Sequence, residues 1–311
     1  MTEKNNRKGA LVLMSGGLDS ILAAKILEEQ GIKTILVCFE SYFFSCDQAR
    51  KAAGQIGMPL RVEDIRVLHL EIVKNPHYGH GAGVNPCIDC HLLMLKTAKR
   101  IMEAEGFDFI ATGEVLGERP MSQNRQSLDI IEKEAGLAGK LLRPLSAKLL
   151  PVTEAEADGR VDRTKLYGIS GRARNEQYEL AGHFSIKDIP QPGGGCILTD
   201  PEYGRRMKQL MSARPDFDAN DALVLRYCRP VWEQKLLIAV ARDKNDCEEL
   251  VKLAKPGDML LEPANFSGPV VVGRNFGGDI PNSEIVEFGK KYLLQYSKKI
   301  PAVPEIDVKN I

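Results

Sequence analysis

Short apolar runs separated by amphipathic stretches fill the first half of the chain. Residues 10–14, 35–39, 60–62 and 109–112 are apolar runs of strand length, and residues 18–30, 48–56 and 90–105 bring apolar side chains back every three or four positions, the period of a helix. Gly57 and Gly106 follow two of these helices, where a left-handed residue closes a helix without steric cost. Strands alternating with helices predict a doubly wound α/β fold, a parallel sheet covered on both faces. Ligands of such sheets gather beyond the carboxyl ends of the strands, where the turns at Ser15 and at Thr112-Gly113 would lie. The pattern turns polar over residues 115–140, with a helix near 129–134, and restarts its core at 141–145. A strand at 166–169 and a helix at 175–181 follow. Beyond about residue 200 the rhythm changes, and helices at 203–211, 246–254 and 283–297 with strands at 223–227, 235–241, 259–261 and 270–272 predict a smaller α+β unit. The expected division is residues 1–205 and 206–311, without internal repeats or low-complexity segments.

Composition narrows the class. A chain of 311 residues that is 43% hydrophobic and 27% charged can bury full cores in two domains. It holds no run of about 18 apolar residues and opens on the polar MTEKNNRKG, so a soluble cytoplasmic protein without membrane contact is expected. With 42 basic and 42 acidic side chains the net charge is zero, and an RNA partner would need a local basic patch. Seven cysteines in such a chain argue against a disulfide framework. Cys38, Cys46, Cys228 and Cys247 read as packing residues.

Chemistry enters at Ser15-Gly16-Gly17-Leu18-Asp19-Ser20. A buried strand delivers the backbone to a turn, two glycines allow close approach to an anion, and the next helix aims its N-terminal amides at the same place. Ser15 and Ser20 add hydroxyl donors. A carboxylate beside bound phosphate makes sense when Mg2+ sits between them, which gives Asp19 its role. The hexapeptide has neither the lysine of a Walker loop nor the spacing of a dinucleotide site. It resembles the PP-loop of ATP pyrophosphatases, which split ATP into AMP and pyrophosphate while adenylating a carbonyl oxygen.

A second constellation is built on sulfur. Asn85-Pro86-Cys87-Ile88-Asp89-Cys90 sets two thiols three apart at a helix start, where amide dipoles favour thiolate. Pro192-Gly193-Gly194-Gly195-Cys196 presents a third thiol on a glycine-rich loop. Three cysteines are one short of a structural zinc site, for which His91 or His183 would have to supply the fourth ligand. A 4Fe-4S cluster on three thiolates explains the number better and leaves one iron open.

SGGLDS, NPCIDC, the turn Ile110-Ala111-Thr112-Gly113-Glu114, the segment Arg143-Pro144-Leu145-Ser146-Ala147-Lys148 and GGGC follow the order found in tRNA thiouridine synthases. Over residues 8–205 the chain resembles the 2-thiouridylases and the iron-sulfur 4-thiouridine synthases. That resemblance implies adenylation of a tRNA uridine by ATP, then replacement of the adenylate by sulfur. Ser15, Gly16, Gly17, Asp19 and Ser20 would hold pyrophosphate, Thr112 and Gly113 would border the nucleotide, and Cys87, Cys90 and Cys196 would hold the cluster. Asp19, Cys87 and Cys196 would carry the chemistry. Implied partners are tRNA and a sulfur donor, either sulfide or a cysteine desulfurase, and a homodimer stays open. Two departures stand out: Glu114 occupies a position where 2-thiouridylases commonly have histidine, and the long N-terminal RNA-binding extension of bacterial 4-thiouridine synthases does not precede this motif. RNA phosphates would then fall to Arg160, Arg163, Lys165, Arg172, Arg174, Arg205, Arg206 and Lys208, or to Arg242 and Arg274 in the second unit, which weakly resembles a small RNA-binding domain of ribosome quality-control proteins.

Three other readings compete. A cluster-free thiolase would carry a persulfide on one of Cys87 and Cys196 and resolve it with the other, which gives Cys90 no task. A PP-loop amide- or nitrile-forming ligase would keep zinc on the cysteines and need a fourth ligand. A non-catalytic RNA-binding protein would have no use for an intact SGGLDS.

Overall fold

The computed structural model describes residues 9–190 and 195–311. The chain divides into two compact units, residues up to 81 together with 85–197, and residues 82–84 together with 198–311.

The first unit carries the strands β1 (Ala10–Leu13), β2 (Thr34–Glu40), β3 (Leu60–Asp64), β4 (Phe109–Ala111) and β5 (Leu141–Leu142), all parallel, in the order β3-β2-β1-β4-β5. Its helices are α1 (Leu18–Glu29), α2 (Asp47–Ile56), α3 (Arg66–Lys74), α4 (Cys87–Glu105), α5 (Arg125–Glu134), α6 (Glu154–Ala157) and α7 (Asn175–His183). Neighbouring side chains of β1 face opposite ways. Ala10 and Val12 enter a core with residues of α1, α2 and α7, while Leu11 enters one with residues of α4 and α5. This two-faced burial is the doubly wound α/β architecture the alternating pattern predicts. The strand order reverses direction between β1 and β4, so the turns leaving these two strands flank the switch point where ligands of open α/β sheets bind.

The second unit comprises α8 (Pro201–Ala213), α9 (Ala219–Arg226), β6 (Arg229–Glu233), β7 (Leu236–Val240), α10 (Lys244–Leu253), β8 (Met259–Pro263), β9 (Val271–Asn275), α11 (Asn282–Gln295) and β10 (Ile306–Asn310). Its sheet is antiparallel in the order β10-β8-β9-β7-β6, with Ile285 and Leu293 of α11 in its core. On the other side of that core Arg274 is buried against Asp221 and Asp258, at 2.8 and 2.7 Å, and Lys255 reaches Asp221 at 2.7 Å.

Several expectations change. The division falls at 197/198, because the expected boundary after residue 205 would cut α8, which goes whole with the second unit. Residues 223–227 are the end of α9 and not a strand: Asp218 and Asp221 form a reciprocal capping box that starts a helix through this apolar run. Residues 166–169 hydrogen-bond to Pro144 and Leu145 but form no strand, the pairing there reducing to a single Leu116 to Ser170 bridge. Cys38 and Cys46 are not separate packing residues. A disulfide joins them, tying β2 to the residue that caps α2.

Candidate functional site

The hexapeptide turns as its composition requires. Gly16 has φ +83°, and a Cβ there would stand 2.4 Å from the Gln48 carbonyl carbon of α2. Any other residue would be strained and would also collide with that backbone. Gly17 caps α1 in extended conformation with no side chain on the first-turn amides. Ser20 donates its hydroxyl to the Gly17 carbonyl at 2.7 Å, and Ser15 Oγ accepts from the Gly17 amide at 3.2 Å. Gly113, leaving β4, packs directly on this turn, and a Cβ there would lie 2.4 Å from the Ser20 nitrogen. The structure therefore brings Ser15, Gly16, Gly17, Asp19, Ser20, Thr112 and Gly113 to one edge of the sheet.

Asp19 has company that the sequence does not announce. Arg174, the residue before α7, donates from Nη2 to Asp19 Oδ2 at 2.5 Å and lies 3.4 Å from Glu118 Oε1. Asp19 Oδ1 and Arg174 Nε are buried without hydrogen-bond partners. Burial pushes the Glu118 carboxyl up, and the neighbouring Asp19 charge adds to this. A buried carboxylate oxygen with no donor suits a divalent cation, so the residues present fit Mg2+.

Glu114 is buried, and its role becomes visible. One oxygen meets His91 Nδ1 at 2.8 Å, and the other accepts from Arg143 Nε at 2.9 Å and from the Thr112 hydroxyl at 3.0 Å. Burial alone would raise this carboxyl, but Arg143 and His91 outweigh it and hold Glu114 at about 2. Arg143, 3% exposed, spans on to Glu132 at 2.7 Å. The histidine adjoining Cys90 is thus oriented by a buried carboxylate.

Cys87 opens α4, three residues earlier than the predicted 90–105, with Asn85 Nδ2 directed at its sulfur at 3.0 Å. Cys90 sits one turn on, buried, and its thiol is raised well above the ordinary range by burial, with Cys196 and Cys87 contributing. All three thiols belong to the first unit. The Ile197 amide, next to Cys196, donates to the Phe43 carbonyl at 3.0 Å and seats this segment on the β2–α2 loop. Pro192, Gly193 and Gly194 of the glycine-rich motif lie outside the described residues. Among the described residues no three His, Cys, Asp or Glu side chains stand at the spacing of a single metal ion. Cys87, Cys90 and Cys196 stand as thiols. His91 Nδ1 is engaged with Glu114 and His183 Nε2 with Glu29, each at 2.8 Å.

Most of the basic residues expected on RNA have internal partners. Arg160 pairs with Asp158, Arg163 with Glu156, Arg205 with Glu202, Arg242 with Asp246 and Arg274 with Asp258, and Arg206 donates to the Leu225 carbonyl. Arg174 faces Asp19 instead. Arg172 and Lys208 make no ion pair among the described residues. No helix is long and apolar enough to cross a membrane among the described residues.

Comparison with known proteins places these features. Residues 6–148 match the family described as thiamine biosynthesis protein (ThiI). The tRNA-specific 2-thiouridylase MnmA of Caldicellulosiruptor saccharolyticus is 27% identical over 240 residues, covering 68% of this chain and 61% of the relative. That of Syntrophotalea carbinolica is 36% identical over 128 residues, 36% of each chain. The chain thus spans between about a third and three fifths of the length of these relatives. Among solved structures, a predicted subunit of a tRNA methyltransferase from Methanocaldococcus jannaschii superposes with TM-score 0.33 at 22% identity, covering 43% of this chain and 68% of that one. An NMN synthetase from Francisella tularensis gives TM-score 0.30 at 12% identity, covering 61% and 91%. These structural likenesses are too distant to carry weight. The sequence matches bear out the resemblance to PP-loop thiouridine synthases over the first unit.

Proposed function

We propose that this protein is an ATP-dependent tRNA sulfurtransferase acting in the cytoplasm, which adenylates a uridine carbonyl oxygen and replaces that oxygen with sulfur. The observation that carries the reading is the meeting, in one unit, of a phosphate-type turn after β1, the β4 exit packed on it through Gly113, and the start of α4 with Cys87 and Cys90, joined through the Glu114 to His91 contact.

In the first step the uridine oxygen attacks the α-phosphorus of ATP, a new O–P bond forms, and the bond to pyrophosphate breaks. The α1 amides, Gly16, Gly17 and the hydroxyls of Ser15 and Ser20 hold the departing pyrophosphate, and the dipole of α1 favours its charge. Asp19 would hold Mg2+, which neutralises charge developing on the phosphates. Thr112 and Gly113 would border the nucleotide. Sulfur then displaces AMP from the activated carbon. Cys87, Cys90 and Cys196 would hold a 4Fe-4S cluster, whose open iron supplies a Lewis-acid site for an exogenous sulfide. The substrates are tRNA and a sulfur donor, sulfide or a cysteine desulfurase product, and a homodimer remains part of the proposal. RNA binding is assigned to the second unit with Arg172 and Lys208.

A second reading is favoured by one observation: with Cys90 buried and its thiol raised, a persulfide route would use Cys87 and Cys196 alone. Iron and sulfide analysis of protein purified without oxygen separates the two. About four of each per chain, lost in Cys90→Ala, is the expected result. Iron-free protein that still thiolates tRNA after Cys90→Ala would establish the persulfide route. Asp19→Ala should abolish AMP formation and leave the iron content unchanged.

A further inference from the structure

Three distant segments meet at Arg174. Asp19 lies in the first turn of α1, Glu118 follows β4, and Arg174 immediately precedes α7, 155 residues from Asp19. Backbone pairing sets the last two side by side: the Gly171 amide donates to the Leu116 carbonyl at 2.7 Å, and Leu116 and Ser170 form a parallel bridge. The guanidinium then stands 2.5 Å from Asp19 Oδ2 and 3.4 Å from Glu118 Oε1. Its contacts leave Asp19 Oδ1 and its own Nε buried and unpartnered. An arrangement built only as an ion pair would close both, since Arg and carboxylate match two bonds to two.

We propose that Arg174 is a positioning residue that holds Asp19 and Glu118 together in the absence of a divalent cation, gives both up to the cation that arrives with the nucleotide, and then turns to the phosphates. The proposal rests on the nucleotide site read above. Charge drives the exchange. Two carboxylates beside a phosphate turn repel an incoming anion, and one guanidinium cancels half of that repulsion. A divalent cation cancels all of it, prefers one or two carboxylates plus phosphate oxygens as ligands, and frees a positive side chain for the phosphates. Glu118 is the second carboxylate ligand in this scheme.

Mn2+, read by its paramagnetic resonance signal, is titrated into the full chain without nucleotide. Arg174→Ala should bind Mn2+ about tenfold more tightly than the unsubstituted chain, because a competing cation is gone. Adding Glu118→Gln should remove that gain. Binding of a non-hydrolysable ATP analogue in the presence of Mn2+ should weaken about tenfold in Arg174→Ala. Arg174→Gln is carried in parallel, with circular dichroism showing which variants are folded. A folded variant that binds Mn2+ no more tightly overturns the proposal, as does a gain that survives Glu118→Gln. Should the unsubstituted chain form no AMP while Mn2+ tightens as described, the function proposed above fails and the exchange stands. Should AMP form while Mn2+ affinity is unmoved, the exchange alone fails.

Discussion

Arg143 and Glu114 show what single residues contribute here and how little of it is local. Glu114 stands out in the sequence as a departure from its relatives, but its partners lie 23 and 29 positions away, beyond any periodicity. Only the fold joins them. Removing one member of such a buried pair strands the other charge, so Arg143→Ala should lower the unfolding free energy by about 3–5 kcal/mol, measured by urea titration. Gly113 is the opposite case, legible in the motif but for a reason the motif does not state. It touches the Ser20 amide, and Gly113→Ala should displace the turn and weaken ATP-analogue binding at least about tenfold in calorimetry while changing the melting temperature far less. Arg174 was readable only as one basic residue among many, because its meaning depends on a bridge between two irregular segments.

At the scale of elements, the strands and helices of the first half were legible because each keeps one period, and Gly57 and Gly106 close α2 and α4. The failures have local causes. Helix α3 follows β3 within two residues and holds apolar residues at nearly every other position, so no helical stripe shows; β10 is mostly polar and exposed, and reads as tail. The missed α3 carries a buried histidine. His69 Nδ1 lies 2.7 Å from the Ser41 hydroxyl, between the rings of Phe43 and Phe44, with Nε2 unpartnered. Burial lowers it from 6.5 to about 4. The unfolded chain therefore takes up this proton first as the solution is acidified. Stability from this residue is complete above pH 6.5 and falls by ~3 kcal/mol by about pH 4. Urea unfolding across that window should show the slope, and His69→Gln should flatten it. The loop so held, from Ser41 to Cys46, is the one that receives the Ile197 amide beside Cys196.

The whole molecule is two units with separate cores, and the change from alternating strands and helices to a mixed pattern was enough to show that much. What composition could not show is which cysteines pair, since burial and spacing look alike for a packing thiol and half of a disulfide. Closing a loop of sequence separation 8 stabilises by about 2.5 kcal/mol on chain entropy. Reductant should therefore lower the protection of first-unit amides in hydrogen exchange and leave those of β7 and β9 unchanged. The same bond alters how sulfur is counted in this protein. With Cys38 and Cys46 joined, five cysteines remain as thiols, and Cys90 and Cys228 among them are buried. A maleimide reagent added to the native chain should then reach three sulfurs quickly, five after unfolding, and seven only when unfolding and reduction are combined. Those three plateaus form a ruler inside the molecule. A persulfide would change one step of it and a bound cluster another, so the route taken by sulfur can be followed on the chain itself, apart from any turnover of tRNA.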